Sequence, residues 1–125
     1  MGLNCIVIIT QGDKTETAIN IGFSCKLLRK NMDLIVIKSH TDQDTVDQLL
    51  DALNKFWNPD GTPRIKADIA LILDATFFQD LFEYEPSQLL LELGSRCKTV
   101  ILCRLSAIQK ALVVRLVKEG LVYNH

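Results

Sequence analysis

Four short apolar runs constrain this chain more than anything else in it. Residues 6–10, 34–37, 69–73 and 100–103 are each continuously apolar, rich in Val, Ile and Leu, and too short for a buried helix. Continuous rather than alternating apolarity marks a strand buried on both faces, as in a parallel sheet covered by helices. The segments between the runs change period. Residues 15 to about 30 place Ile19, Phe23 and Leu27 on one helical stripe, and Asn31 offers a stop. Thr41 can cap the next helix, with Asp44 three residues on, and Val46, Leu49, Leu50, Leu53, Phe56 and Trp57 then share one face. The run Asn58-Pro59-Asp60-Gly61-Thr62-Pro63 breaks that helix. Pro86 suits the first turn of a third helix carrying Leu89, Leu90 and Leu93, with Gly94 at its end. Ser106 can cap a fourth, running to Glu119, with Gly120 as its stop.

Strand and helix in alternation imply right-handed crossovers and a parallel sheet. The expected fold is α/β, a flavodoxin-like three-layer sandwich formed by residues 1–125 as one domain. It has four to five parallel strands, the fifth beginning at 121–123, and the last helix missing because the chain stops at His125. The expected spatial order is 2-1-3-4. The expected core contains Ile8, Phe23, Leu27, Val36, Leu50, Leu53, Leu71, Leu73, Ile101 and Leu112.

Composition narrows function mainly by exclusion. The net charge is −1 in 125 residues, against the basic excess of nucleic-acid domains. The four cysteines, Cys5, Cys25, Cys97 and Cys103, form no CxxC pair, and the two histidines, His40 and His125, add no zinc spacing. The cysteines read as reduced, structural residues. No apolar run reaches membrane-spanning length and the N-terminus lacks signal-peptide features, so a cytoplasmic protein is expected.

Ligands of such sheets bind beyond the carboxyl ends of the strands. Strand endings put Thr10 to Lys14, Ser39 to Thr41, Asp74 to Thr76 and Arg104 to Ser106 there. Asp74 closes a buried strand, where a carboxylate needs a partner. It is either a phosphoryl acceptor or metal ligand, or a carboxylate paired with a neighbour such as Arg104 or Lys14. The turn Gly12-Asp13-Lys14-Thr15 precedes a helix whose free N–H groups can hold an anion, but it has neither the GxxxxGK[ST] nor the GxGxxG spacing. Ser106 stands in no GxSxG elbow.

The segment Ala67-Asp68-Ile69-Ala70-Leu71-Ile72-Leu73-Asp74 resembles the third strand of response-regulator receiver domains, which ends in the phosphorylated aspartate. Thr99-Val100-Ile101-Leu102-Cys103-Arg104-Leu105-Ser106 is similar to the receiver's fourth strand and its exit. Phe23-Ser24-Cys25-Lys26-Leu27-Leu28 followed by 33–37 is similar to its first helix and second strand. Where receivers carry an acidic pair this chain reads Thr10-Gln11, with Asp13 two residues later; where they have Ser or Thr it has Arg104, with Ser106 offset. The chain also stops before the receiver's lysine. The resemblance therefore implies a degenerate receiver: a non-enzymatic module of signalling or gene regulation with Asp74, Asp13, Arg104 and Ser106 as a relic of the phosphorylation site. It implies a protein partner or homodimer; with the charge, run lengths and cysteine spacing above, the expectation is no nucleic acid by itself, no membrane, no cofactor and no metal. The competing readings are an enzyme or small-molecule binder holding a phosphorylated ligand at Gly12, Asp13, Lys14 and Thr15, and a phosphorylatable receiver using Asp13 and Asp74.

Overall fold

A computed structural model describes residues 6–10, 14–38, 41–74 and 84–118. The order of elements is β1 (Ile6–Thr10), α1 (Thr15–Ser24), β2 (Asp33–Lys38), α2 (Asp42–Phe56), β3 (Ile69–Asp74), α3 (Tyr84–Ser95), β4 (Thr99–Cys103) and α4 (Ala107–Lys118). Each of the four apolar runs is a strand, and all neighbouring strands pair in parallel. The residues after 118, including the expected fifth strand, lie outside the described ones, as do Cys5, His40 and residues 75–83.

The strand order corrects the expected 2-1-3-4. It is β1-β4-β3-β2, so β1 stands at an edge beside β4 instead of between β2 and β3. A flavodoxin-like or receiver-like order is thereby excluded for this sheet. The reason the expectation failed is physical. Consecutive strands are adjacent only about two-thirds of the time, and nothing local in β1 or β2 encodes which strand lies beside it.

The core follows the two-residue period of the strands. Ile69, Leu71 and Leu73 of β3, with Val100 and Leu102 of β4 and Ile35 and Ile37 of β2, face one side. There they meet Leu49, Leu53 and Trp57 from α2 and its end, Leu93 of α3, and Val113 of α4. Ala70 and Ile72 of β3 and Ile101 and Cys103 of β4 face the other side, against Ala18 of α1, Leu28 and Met32. Helices therefore cover both faces. The path is consistent with right-handed crossovers: β2 to β3 to β4 steps one way along the sheet through α2 and α3, while β1 to β2 travels the opposite way through α1 and so passes over the opposite face.

Cover is unequal. Leu53, Leu71, Leu73 and Ile101 are buried as expected, but Phe23, Val36 and Leu50 are exposed, and Leu27 and Leu112 are half-buried. Val36 stands on the α1 side of β2, and α1 lies over β3 and β4. Phe23 lies off the face that α1 buries, which runs through Thr15, Ala18 and Gly22, and α1 is also shorter than its apolar stripe suggests. The helix stops at Ser24 instead of about Lys30. Lys26 turns left-handed at φ 62°, its N–H donates to Phe23 O at 3.1 Å, and the Leu27 N–H donates to Gly22 O at 2.9 Å. This is a Schellman ending with lysine where glycine is usual. Cys25 caps that end and is exposed, unlike buried Cys97 and Cys103.

Candidate functional site

The strand register aligns the carboxyl ends of the sheet in one row: Thr10 pairs with Cys103, Cys103 with Asp74, and Asp74 with Lys38. In β3 the even-numbered positions face α1, and in β2 Ile35 and Ile37 face the opposite helices, so period two sends Asp74 and Lys38 toward α1. The contacts agree. Thr15, the first residue of α1 and almost fully buried, donates its hydroxyl to Asp74 Oδ2 at 3.1 Å. Lys38 Nζ donates to Glu16 Oε1 at 2.9 Å. That hydrogen bond is the main reason the Glu16 carboxyl is held below its ordinary range, with smaller help from the first-turn backbone and from the charges of Lys38 and Arg104.

Arg104 leaves β4 with φ 58°, a left-handed conformation that an L-residue adopts at some cost. Its Nη1 lies 4.0 Å from Asp74 Oδ2, and the Asp74 side chain is only 12% exposed. Asp74 is thus flanked by a buried hydroxyl and a guanidinium. Lys14 is exposed at the N-cap of α1, and its own side chain makes no capping hydrogen bond among the described residues. Gly12 and Asp13, the rest of the expected anion-binding turn, lie outside the described residues.

Ser106 has a different task. Its Oγ accepts from Gln109 N–H at 3.2 Å while Gln109 Oε1 accepts from Ser106 N–H at 2.9 Å, a reciprocal capping box at the start of α4. Among the described residues it makes no hydrogen bond to Asp74 or Arg104. Glu16 and Lys38 were missed by sequence reasoning. The signal was available, since Lys38 ends an apolar strand and Glu16 directly follows Thr15, but only the strand order brings α1 over them.

β1 and β4 are neighbours whose following helices depart to opposite faces: α1 joins the Ala18–Ile72 side, and α4 places Val113 in the Leu71–Leu93 side. This divergence is the geometry that opens a ligand crevice at the carboxyl edge of an α/β sheet. It falls between the start of α1 at Thr15 and the backbone at Arg104, with Asp74 on the next strand. A crevice of this kind, walled by a helix start, a carboxylate and a guanidinium, is suited to a phosphate-bearing ligand.

No family model matches the chain. It is similar to phospholipid-transporting ATPases: 34% identical over 112 residues to one from Schizosaccharomyces pombe, 40% over 111 residues to one from Saccharomyces cerevisiae, and 40% over 120 residues to a probable one from Arabidopsis thaliana. Each match covers about 90% of this chain, but the chain spans only 9%, 8% and 10% of those relatives. These relatives are transport ATPases and not response regulators. The receiver resemblance, and with it the pseudo-receiver of signalling or gene regulation, is overturned by this finding. The misreading arose because a buried strand ending in aspartate and a helix after an apolar strand are shared by many parallel α/β sheets.

Proposed function

We propose that this chain forms the part of a phospholipid-transporting ATPase that receives the phosphates of ATP, in the crevice between the carboxyl ends of β1 and β4. The observation that carries this reading is Asp74, half-buried at the strand end beside Thr15 and Arg104. The relatives, whose names describe ATPases, supply the ligand class. Arg104 neutralises phosphate charge and is held in a left-handed turn that a glycine would accept more easily. Lys14, at the N-cap of α1, adds a second cation beside the first-turn N–H groups of that helix. Magnesium enters as part of the nucleotide substrate. It typically uses one or two protein carboxylates together with phosphate oxygens, and Asp74 offers one. On this reading the domain works on the cytoplasmic side of the membrane, where it meets ATP.

The test separates a structural from a ligand-binding role for Arg104. Magnesium-ATP is titrated into the purified chain by calorimetry. Arg104→Gly should alter folding stability by no more than about 1 kcal/mol, because relief of the left-handed backbone offsets a partly exposed ion pair. ATP affinity should nevertheless fall at least about tenfold, the loss of one charge-assisted hydrogen bond or more. Absence of ATP binding at millimolar concentration, or equal affinity in the variant, would remove the reading.

A further inference from the structure

Where α2 and α3 end and β3 and β4 begin, at the opposite end of the sheet from the crevice, the surface opens into a cavity of about 610 Å³. Its wall carries Arg64, Lys66, Arg96 and Lys98 against one carboxylate, Asp68. This concentration of positive charge stands in a chain of net charge −1. Asp68 offsets one of the four charges at most, and its Oδ2 also lies 4.0 Å from Arg29, itself outside the cavity wall.

The two arginines have work within the fold. Arg64 Nε donates to Asn54 O at 3.1 Å and Trp57 O at 3.0 Å, carbonyls at the end of α2. Arg96 Nη2 donates to Glu92 Oε1 at 3.1 Å, and its guanidinium lies 5.7 Å from the Trp57 ring centroid. These contacts fix both guanidinium groups in place and leave further N–H donors on each. Lys66 and Lys98 differ. Both are exposed, and neither ammonium has a hydrogen-bond or ion-pair partner among the described residues. The Lys98 backbone is anchored, its N–H donating to Ile69 O at 2.8 Å. Four cations line one hollow, then, and two of them have no polar partner for their ammonium among the described residues.

We infer that this cavity binds a small phosphate-monoester or polyphosphate anion. Its volume falls within the roughly 300–1,000 Å³ of small-ligand pockets, which favours a compact anion over a folded partner. Fixed guanidinium forks suit bidentate contact with phosphate, and the lysines add adaptable point charge. The same chemistry occurs free in solution and on a lipid headgroup, and the experiment has an arm for each.

Inorganic tripolyphosphate is titrated into the chain by calorimetry, in parallel into Arg104→Gly, so that any binding in the crevice is set aside. Vesicles of phosphatidylcholine with and without phosphatidic acid are tested by co-flotation. In the Arg104→Gly background tripolyphosphate should still bind, and Lys66→Glu combined with Lys98→Glu should weaken it at least about tenfold, as expected for two charge-assisted hydrogen bonds. Raising salt should weaken it as well. Flotation that needs phosphatidic acid and both lysines assigns the headgroup source; tripolyphosphate binding without flotation assigns the soluble one. Because both lysines are exposed, the double variant should keep its unfolding midpoint, and the neutral pair Lys66→Gln and Lys98→Gln gives an intermediate loss. Unchanged tripolyphosphate affinity in the lysine variants, or no binding of either anion, overturns the site.

Discussion

At the scale of single residues, the end of α1 carries a strain that one substitution relieves and another makes worse. Lys26 occupies the left-handed position that glycine usually fills. Lys26→Gly removes a backbone cost of about 1–2 kcal/mol, partly offset by the greater freedom of glycine in the unfolded chain, so a net gain of about 0.5–1 kcal/mol is expected in urea unfolding. Four residues earlier the logic inverts. A Cβ on Gly22 would sit 2.7 Å from Leu28 Cδ1 and 3.1 Å from Ile101 Cδ1. Both side chains are fully buried, so Gly22→Ala should cost about 1–3 kcal/mol through overpacking, even though alanine favours the helix. Glu16 makes a pH-dependent contribution. Its carboxyl is held low in the fold, chiefly by the Lys38 hydrogen bond, so its stabilisation is present above the ordinary glutamate range and is lost as pH falls through that range and below. In Lys38→Met the Glu16 titration, followed by NMR, should move back up toward the ordinary value. A titration that stays in place would show that Lys38 is not the cause.

At the scale of elements, the sequence was most legible where the chemistry is local. The Thr41 cap is real, with Asp44 N–H donating to Thr41 Oγ1 at 3.0 Å, and Ser106 caps α4 as its position suggests. The end of α1 was illegible because lysine, not glycine, makes the turn. The exposure of Val36 was illegible because it depends on where α1 lies across the sheet. That exposure gives a contrast within one strand. Val36 is 41% exposed and Ile37 1%. Val36→Thr should cost well under 1 kcal/mol, whereas Ile37→Thr places a hydroxyl and a smaller volume against Leu49 and Leu53 and should cost about 2 kcal/mol or more. Equal losses in the two variants would mean that both faces of β2 are covered. The candidate site shows the same division. Asp74 and Arg104 were legible as strand ends, but Glu16 and Lys38 required the long-range arrangement.

At the scale of the whole molecule, the pairing order divides the sheet into parts of unequal dependence. β2, β3 and β4 follow one another in sequence and in space, joined through α2 and α3. Among the described residues β1 pairs only with β4, through partners such as Ile8 and Ile101, 93 residues apart. Closing so long a loop brings an entropic cost before any strand contact offsets it, and an edge strand is paired on one side only. The β1–β4 seam should therefore open at lower free energy than β3, whose residues from Ile69 to Leu73 are buried and whose two edges are both paired. Native-state hydrogen exchange should show β1 amides exchanging through sub-global openings while β3 amides exchange only on global unfolding. The carboxyl end of this seam is the proposed ATP crevice, so the same measurement bears on function. A ligand that bridges Arg104 and the start of α1 stabilises only the closed form. At a free concentration a hundred times its dissociation constant it should raise the opening free energy of β1 by roughly 2.7 kcal/mol. Protection of β1 equal to that of β3 before ligand is added would contradict the seam, and a rise confined to β2 would place the ligand elsewhere.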